Sequence, residues 1–261
     1  MFPVSRRLPP LALAYHGVAP VPLSRDSHGL FVSPRALRRQ IRALRRWGYE
    51  LIAFGELARR AASGSASGCA ALTFDDGLAD NLHTLAPLLR AEGAPATVFP
   101  VTGWLGGPHP DAPWARVLGP QDLRRLRASG VEIGAHTETH PVLSQLPYAE
   151  ALRQLRGARL ALEAILDEPV EVAAYPYGAA GESTTRACRD AGFRAACRID
   201  GTGSWDDPFA LPRQNMNNAS SVLGLRLKRR DRFEATVRRE PWRTLRRRRR
   251  GLLRAIQGNS A

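Results

Sequence analysis

The alternation of short apolar runs with longer amphipathic segments constrains the fold of this chain more than any other feature. Apolar runs of strand length occupy residues 11–15, 49–54, 69–74, 96–101, 131–135, 170–174 and 193–199. Segments with the helical spacing of apolar residues lie between most of them. Alternating strands and helices imply a mainly parallel sheet, because a parallel pair of strands needs a crossover connection. The sequence therefore predicts an α/β fold.

Several helix boundaries are marked by residues with a known capping role. Ser33 followed by Pro34 is an N-cap with proline at the first helical position, and Gly48 ends the apolar periodicity that begins there. A long helix is predicted over 148–166 and a shorter one over 183–191. With 261 residues and a hydrophobic content of 44%, the chain is long and apolar enough to bury the core of such a fold.

The positive charge of the chain is concentrated towards its end. The 38 lysine and arginine residues exceed the 24 aspartate and glutamate residues by 14. Residues 222–261 hold 14 of the basic and 3 of the acidic residues, a net charge of +11, which leaves the rest of the chain near +3. We therefore predict two parts, a folded domain over 1–221 and an arginine-rich tail over 222–261.

Basic and apolar residues are interleaved in the stretch 226–254 of the tail. Such a segment suits an anionic membrane surface, where each arginine near the headgroups contributes on the order of 1 kcal/mol. A plain solvated tail is the alternative, and binding to nucleic acid through its phosphates is disfavoured.

The sequence shows no clear export signal, which favours a cytoplasmic protein, either free or peripheral at the inner face of the membrane. Arg6 and Arg7 precede an apolar stretch that is too short and too interrupted by proline for an export signal, so we interpret it as a first strand. No run approaches the roughly 20 apolar residues that span a bilayer. The three cysteines, Cys69, Cys188 and Cys197, form no CxxC pair and are predicted to be buried free thiols.

Polar residues follow several predicted strands at the point where each strand ends. His16 follows the first strand, and Asp75 and Asp76 follow the run at 69–74. Chemistry gathers at such positions, because the strand fixes the backbone while the loop exposes the side chain. Adjacent carboxylates also commonly cap a following helix. A functional pair would divide its roles, with one carboxylate ligating a metal and the other accepting a proton from water.

His136 and His140 lie four residues apart, just after the predicted strand at 131–135. A helical turn there would place both imidazoles on one face, close enough to share one ion. An HxxxH pair alone is a weak signal, but a strand-terminal pair of aspartates elsewhere in the sheet strengthens it. Two histidines and one carboxylate make a three-ligand site that leaves positions open for water and substrate.

Three segments resemble the motifs of the polysaccharide deacetylase family, also called the NodB homology or carbohydrate esterase family 4 group. Leu72-Thr-Phe-Asp-Asp-Gly77 is similar to its first motif, His136-Thr-Glu-Thr-His140 to its second, and Ala174-Tyr-Pro-Tyr-Gly178 to a variant of its third. The resemblance runs in order over residues 70–213, and the first two motifs together are highly specific. The segment from Tyr15-His-Gly17 onwards also looks like the N-terminal region of one branch of this family.

The resemblance implies a distorted, partly open (β/α) barrel and the metal-dependent removal of an acetyl group from an N-acetylated sugar. It makes residues 1–221 the catalytic domain. By motif position, Asp75 is the general base, and the metal ligands are Asp76, His136 and His140. Zinc suits this set of ligands best, and cobalt or nickel would also fit. The backbone N–H of Tyr177 would help to hold the tetrahedral oxyanion.

The third motif departs from the family, in which an arginine at its start orients the general base. The corresponding stretch here is Ala173-Ala174-Tyr175, without an arginine. We hypothesise that Arg213, which follows the last predicted strand, forms this ion pair with Asp75. A solvated arginine is the alternative in a chain so rich in arginine.

A second departure is the absence of the late Leu-x-His motif that usually supplies the general acid, since His140 is the last histidine of the chain. Some group must protonate the leaving amine if hydrolysis is efficient. His16 is our candidate, because a histidine outside the metal pair is suited to proton transfer near neutral pH. A structural role at a strand end is the alternative. We assign no role to His28, His83 and His109.

Substrate contacts are predicted for Tyr175, Pro176 and Trp104. Trp104 belongs to the segment 103–119, rich in Gly, Pro and Trp, which we interpret as a long loop near the active face. The expected substrate is an N-acetylated polysaccharide, a cell-envelope glycan or a precursor of one. Two alternatives stay open: a carbohydrate-binding relic without turnover, and a hydrolase of the same fold that acts on an amide outside sugars.

Overall fold

The computed structural model describes residues 8–22, 24–199, 201, 203–217, 220 and 222–228. Its strands are β1 (Leu11–Tyr15), β2 (Gly17–Val18), β3 (Phe31–Val32), β4 (Glu50–Leu51), β5 (Cys69–Asp76), β6 (Thr97–Pro100), β7 (Pro108–His109), β8 (Ala112–Arg116), β9 (Glu132–Ile133), β10 (Val172–Ala174), β11 (Ala195–Cys197) and β12 (Gln214–Asn215). Its α-helices are α1 (Pro34–Arg46), α2 (Phe54–Ala62), α3 (Ala86–Glu92), α4 (Pro120–Ala128), α5 (Tyr148–Leu166), α6 (Glu182–Asp190) and α7 (Val222–Lys228).

A parallel sheet lies at the centre of the fold. β5 pairs with β1 from Ala70 to Phe74 on one edge, and with β4 and then β6 on the other. β9 extends the sheet beyond β6, and β12 extends it beyond β1. Every one of these pairs is parallel, and helices connect most of the strands, so the predicted α/β fold is confirmed.

Two single bridges continue this sheet into a ring. Ala135, just after β9, bridges to Ala173 of β10, which pairs with β11. Cys197 at the end of β11 bridges to Leu211, and a few residues later β12 pairs with β1. The row of strands therefore returns to its starting strand. Because two of its joints are one bridge wide, the result is the distorted (β/α) barrel that the resemblance implies.

The central strands are buried on both faces, which explains their continuous apolar sequence. All eight residues of β5 are buried, including the two aspartates at its end. Tyr15 of β1 stacks on Phe74 at 5.1 Å between ring centroids, and Phe54 of α2 meets Phe99 of β6 edge to face. The core therefore fixes the carboxyl ends of β1 and β5 firmly in relation to each other.

Helix boundaries agree closely with the capping residues. The Ser33 hydroxyl accepts the N–H of Ala36 at 3.2 Å, as expected of an N-cap. The segment 103–119, in contrast, is not a simple loop, because it overlaps a 3₁₀ turn at Thr102–Trp104 and contains the antiparallel hairpin β7–β8. Few apolar alternations mark this hairpin, which is why the sequence did not reveal it.

The chain divides into two units, Met1–Val222 and Leu223–Ala261. The barrel belongs to the first unit, and the second is described only as far as Lys228. The proposed membrane-binding stretch 226–254 thus lies almost wholly outside the described residues. No helix in the described part of the chain is both long and apolar enough to cross a membrane. The three cysteines are free and buried, as predicted.

Candidate metal centre

The two aspartates at the end of β5 form the floor of the candidate site. Asp75 pairs with Phe99, and Asp76 with Pro100, in the register of β5 and β6. Asp76 has a φ of 69°, in the left-handed region that non-glycine residues rarely adopt. The chain then turns at Gly77, also at positive φ, where a Cβ would lie 2.7 Å from the Cβ of Pro100. Only glycine therefore fits the turn that follows the aspartates.

Asp75 is held by a fully buried arginine from the segment that closes the barrel. Arg213 donates from both terminal nitrogens to the two carboxylate oxygens of Asp75, at 2.7 and 2.9 Å. It also donates to the hydroxyl of Thr73 and the carbonyl of Arg198. Burial acts to raise the pKa of Asp75, but the charge and hydrogen bonds of Arg213 outweigh it and hold this pKa below its usual range. The carboxylate is therefore ionised and fixed in orientation.

Asp76 faces two imidazoles. Its Oδ1 lies 3.7 Å from Nε2 of His136 and 3.7 Å from Nε2 of His140. That oxygen is buried and has no hydrogen-bond partner among the described residues. His136 donates from Nδ1 to the carbonyl of Ala174 at 2.8 Å, which leaves a lone pair on Nε2. One potential ligand atom from each of Asp76, His136 and His140 thus lies within 4.8 Å of the others, an arrangement that fits a divalent cation.

The loop that carries both histidines is not helical, so the predicted helical turn is wrong. Thr137 and His140 both have positive φ, at 70° and 61°. The N–H of His140 donates to the hydroxyl of Thr137. The two N–H groups between them, those of Glu138 and Thr139, donate to the side-chain oxygen of Gln154 on α5. These bonds replace helical hydrogen bonds and bring the imidazoles to a ring separation of 4.8 Å.

The imidazole of His140 is poised to be neutral. Burial is the main cause that lowers its pKa to about 3, and the neighbouring His136 adds to the effect. Asp76 is the complementary case, because burial acts to raise its pKa while the hydrogen bond from His109 and the nearby histidines hold that pKa below its usual range. Both groups are therefore in the protonation states that a metal requires.

His16 lies at the rim of the same site. Its Nε2 is 3.8 Å from Oδ2 of Asp76, and its side chain keeps 19% of its surface exposed. Its Nδ1 is buried without a hydrogen-bond partner among the described residues. The backbone carbonyl of His16 accepts from the side chain of Asn81, which ties this strand end to the segment after Gly77. The structure thus brings His16 to the site that the sequence assigns to it.

His109, to which the sequence gives no role, also reaches the site. Its Nε2 lies 3.0 Å from Oδ2 of Asp76, and the side chain is 1% exposed. The contact joins residues 33 positions apart, from a hairpin that the sequence does not reveal. Only the residue type gave a signal, and histidines in glycine- and proline-rich segments are common without a ligand.

The third motif, residues 174–178, exposes a different residue at the site from those predicted to contact substrate. Substrate contacts are predicted for Tyr175 and Pro176, but both are buried, and the Tyr175 hydroxyl donates to the carbonyl of Phe209. These two predictions are wrong, because the strand end continues into the core. Tyr177 is the exposed residue, with 63% of its surface accessible, a φ of 59° and its ring 4.7 Å from that of His140.

The indole of Trp104 also lies beside the ring of His140. It is 5.1 Å from that ring and 5.1 Å from the ring of His109, and it is partly exposed. Trp104 and Tyr177, from two separate turns of the chain, therefore both lie near the ring of His140. Of the five described non-glycine residues with positive φ, four lie in this site, and backbone strain of this kind concentrates at functional sites.

An α/β barrel with a convergent Asp-His-His cluster beside an ion-paired carboxylate is an arrangement suited to metal-assisted hydrolysis. The sequence matches the polysaccharide deacetylase family over residues 63–196, just over half of the chain. The chain belongs to this family. The match includes both aspartates and both histidines of the cluster.

Two relatives illustrate the family match. The putative polysaccharide deacetylase YxkH of Bacillus subtilis is 24% identical over 155 residues, which cover 59% of this chain and 53% of YxkH. A chitin deacetylase of Colletotrichum lindemuthianum is 34% identical over 92 residues, 34% of each chain. The aligned parts thus span about half the length of these curated relatives or less.

Solved structures of deacetylases share the fold. The Streptococcus pyogenes deacetylase PplD superimposes with a TM-score of 0.72 at 20% identity, over 84% of this chain and 97% of PplD. A de-N-acetylase of Aggregatibacter actinomycetemcomitans gives 0.70 at 17% identity, over 83% and 98%. At this level of identity the comparison shows the fold alone, and it confirms the predicted barrel of the deacetylase type.

Proposed function

We propose that this protein is a metal-dependent de-N-acetylase that removes acetyl groups from N-acetylated sugars of a polysaccharide, a cell-envelope glycan or a glycan precursor. The observation that carries the proposal is the pairing of two unlike carboxylates on one strand end. Asp75 is held by a buried arginine, while Oδ1 of Asp76 has no hydrogen-bond partner in the described part of the chain and faces two imidazole nitrogens. One carboxylate is thus equipped to accept a proton and the other to ligate a metal.

The ligand set favours zinc. One carboxylate oxygen and two imidazole nitrogens from Asp76, His136 and His140 suit Zn²⁺, and Co²⁺ or Ni²⁺ would also be accepted. When bound, the ion supplies a Lewis acid that polarises the acetyl carbonyl and makes water a better nucleophile. The carbonyl of Ala174, which accepts from His136, keeps the imidazole in the tautomer that this role requires.

Asp75 is the proposed general base. Its Oδ2 lies 4.0 Å from Nε2 of His136, so a proton acceptor stands beside the ligand cluster. The two hydrogen bonds from Arg213 restrict rotation of the carboxylate, so it need not reorganise when it accepts a proton from the attacking water. The lowered pKa of Asp75 keeps it ionised before the reaction begins.

His16 is the proposed general acid. It is partly exposed, so a leaving amine could approach it, whereas the Nε2 of His109 is already engaged with Asp76. The backbone N–H of Tyr177 is the proposed donor to the oxyanion of the tetrahedral intermediate. The side chains of Tyr177 and Trp104 offer apolar faces for a sugar ring near the cluster.

Metal analysis combined with acetate release tests this function. The full chain should retain about one divalent ion after dialysis and release acetate from N-acetylglucosamine oligomers, and a chelator should abolish that activity until Zn²⁺ is restored. Asp75→Asn should keep the metal but lose turnover by roughly 10²-fold or more, the usual contribution of a general base.

Three other outcomes would count against the proposal. A chain that binds no metal contradicts the metal centre. A chain that binds metal but releases acetate from no glycan favours a carbohydrate-binding relic. Turnover of N-acetylated compounds other than sugars, without turnover of glycans, favours a hydrolase of non-sugar amides on the same fold.

A further inference from the structure

The side chain of His109 is enclosed between the candidate metal centre and an aromatic ring. It lies at the end of β7, 1% exposed, with its Nε2 3.0 Å from Oδ2 of Asp76. The ring of Trp104 meets it edge to face at 5.1 Å. A buried imidazole needs a partner for each nitrogen, and both partners are visible here.

The hydrogen bonds of His109 define its tautomer. The backbone N–H of Asp111 donates to Nδ1 at 3.1 Å, so Nδ1 carries a lone pair. A neutral imidazole carries its single proton on the other nitrogen, and Nε2 therefore donates to Asp76. With a proton on Nε2 and an N–H bonded to Nδ1, neither nitrogen is free to ligate a metal.

The hydrogen bond from His109 gives the two carboxylate oxygens of Asp76 different surroundings. Oδ2 accepts from His109, while Oδ1 has no hydrogen-bond partner among the described residues and faces the Nε2 atoms of His136 and His140 at 3.7 Å. Rotation of the carboxylate would break the hydrogen bond from His109 to Oδ2 and would turn Oδ1 away from the Nε2 atoms of His136 and His140. The carboxylate is therefore fixed with one oxygen, and one oxygen only, aimed at the cluster.

We propose that His109 is a positioning residue that orients Asp76 as a single-oxygen ligand of the metal centre. This inference rests on the proposed function, since it concerns the same centre. Hydrogen bonds to a ligating carboxylate set its orientation and its strength as a ligand, and losing such a partner typically costs about 10- to 100-fold in metal affinity. Because both of its nitrogens are engaged in hydrogen bonds, His109 would act through Asp76 and not as a ligand itself.

The backbone around β7 and β8 supports this role. The hairpin is joined at its base to the turn after Asp76, because the N–H of Leu118 donates to the carbonyl of Gly77 and the N–H of Ala79 donates to that of Arg116, both at 2.8 Å. Leu78 and Val117 form a further antiparallel bridge. The element that carries His109 is therefore fastened to the segment that carries its acceptor.

Three substitutions separate the hydrogen bond from the bulk of the side chain. His109→Gln places an amide N–H near the position of Nε2, His109→Asn has a shorter amide that does not reach it, and His109→Leu keeps volume without a donor. The dissociation constant for Zn²⁺ is measured on the full chain by competition with a chromogenic chelator. The d–d absorption of bound Co²⁺ reports the ligand geometry separately from activity.

We expect His109→Leu and His109→Asn to weaken Zn²⁺ binding by about 10- to 100-fold and to change the Co²⁺ spectrum, and His109→Gln to stay within about threefold of the parent. Unchanged affinity in His109→Asn or His109→Leu overturns the proposal. Equal losses in all three variants overturn it as well, because packing and not the donated proton would then be responsible. If His109→Leu does not fold, the contrast between Gln and Asn decides alone.

One control distinguishes failure of this inference from failure of the proposed function. His140→Ala removes a proposed ligand and should abolish tight Zn²⁺ binding. If the parent chain binds no Zn²⁺, the metal centre itself is refuted and the role of His109 falls with it. If the parent binds Zn²⁺, His140→Ala does not, and His109→Asn binds like the parent, only the role of His109 is refuted.

Discussion

Carboxylates whose pKa burial affects lie at both ends of the barrel, and their surroundings differ: Glu132 is half-buried, and Asp76 is buried. At the amino-terminal end, Oε2 of Glu132 on β9 accepts from the N–H of Gly55 at 3.0 Å and from the hydroxyl of Thr97 at 2.5 Å. At the carboxyl-terminal end, Oδ1 of Asp76 has no such partner among the described residues. Burial of a carboxylate alone does not mark a functional site. We propose that Oδ1 of Asp76 does, because it is buried, lacks a partner among the residues described and faces two imidazoles.

The two ends also shift pKa values in opposite directions. Burial raises the pKa of Glu132, and the hydrogen bonds from Thr97 and Gly55 only partly offset it. Burial acts in the same sense on Asp75, but there the charge and hydrogen bonds of Arg213, together with the nearby His136 and His16, outweigh it and the pKa falls below its usual range. Arginine charges act on both carboxylates, but only Asp75 forms a fully buried, two-bond ion pair with its arginine, so the pKa falls there and not at Glu132.

The largest effect is expected from a change at Asp76, whose Oδ1 has no hydrogen-bond partner among the described residues. Asp76→Asn should abolish tight metal binding and lower turnover by on the order of 10³-fold, because the Lewis acid contributes several kcal/mol to the transition state. Glu132→Gln, the matched change at the other end, should leave turnover within about threefold. Acetate release and metal content check both. Equal losses in the two variants would mean that the two ends do not differ in function.

The next effect concerns proton transfer at the rim. His16→Gln should lower kcat by roughly 10²-fold or more while metal content stays the same, because the leaving amine then lacks its proton donor. The control is His28→Gln, since His28 lies in an exposed loop. The pH–rate profile is the sharper readout. An alkaline limb that persists in His16→Gln contradicts the assignment.

A smaller effect concerns the stability of the carboxyl-terminal end. Arg213→Met should lower the free energy of unfolding of the metal-free protein by about 3–5 kcal/mol, since it leaves the charge of Asp75 buried without a partner. The double variant with Asp75→Asn should recover part of that loss but no activity. Urea denaturation measures both variants. A single variant as stable as the parent would show that solvent already screens the pair.

The smallest expected effect concerns folding stability as a function of pH, to which Asp75 and Glu132 contribute with opposite signs. The folded-state pKa of Asp75 is lowered, so its contribution to stability is present above the unfolded value of about 3.9 and is lost as the pH falls through the folded value. The folded-state pKa of Glu132 is raised, so stability falls as the pH rises from about 4.3 towards the folded value.

Unfolding free energies of the parent minus those of Asp75→Asn should therefore increase with pH in the acid range. The same difference for Glu132→Gln should decrease over its own range. Titration of the metal-free proteins by urea denaturation at several pH values measures both slopes. Two slopes of the same sign would refute the contrast between the two ends.

Much of the fold follows from local patterns in the sequence. The cap at Ser33 and the periodicity of α5 predict helices whose observed bounds agree closely, because both depend on neighbouring residues. The sequence also predicts that Arg213, after the last predicted strand, pairs with Asp75, and the structure contains this ion pair. That expectation depended on the motif lacking its own arginine and on the ring of strands being closed.

The remaining features depend on backbone geometry that no spacing encodes. The histidines converge through left-handed residues at Thr137 and His140 and not through a helical turn. Tyr175 is buried although it follows a strand in a motif, because the barrel core extends to that level. His109 arrives from a hairpin, and a contact between loops leaves no periodic trace in the sequence.

The segment that closes the ring of strands has a consequence for how the chain acquires its structure. Arg213 contacts Asp75 across 138 positions of sequence, and it lies on the stretch between β11 and β12, the strand that pairs with β1. During synthesis the aspartates emerge long before their counter-charge, so the interior of an incomplete barrel holds a carboxylate that favours water over burial. Compaction of that end must therefore wait for the final strand, and a chain interrupted before Arg213 would lose its closure and its charge balance at once.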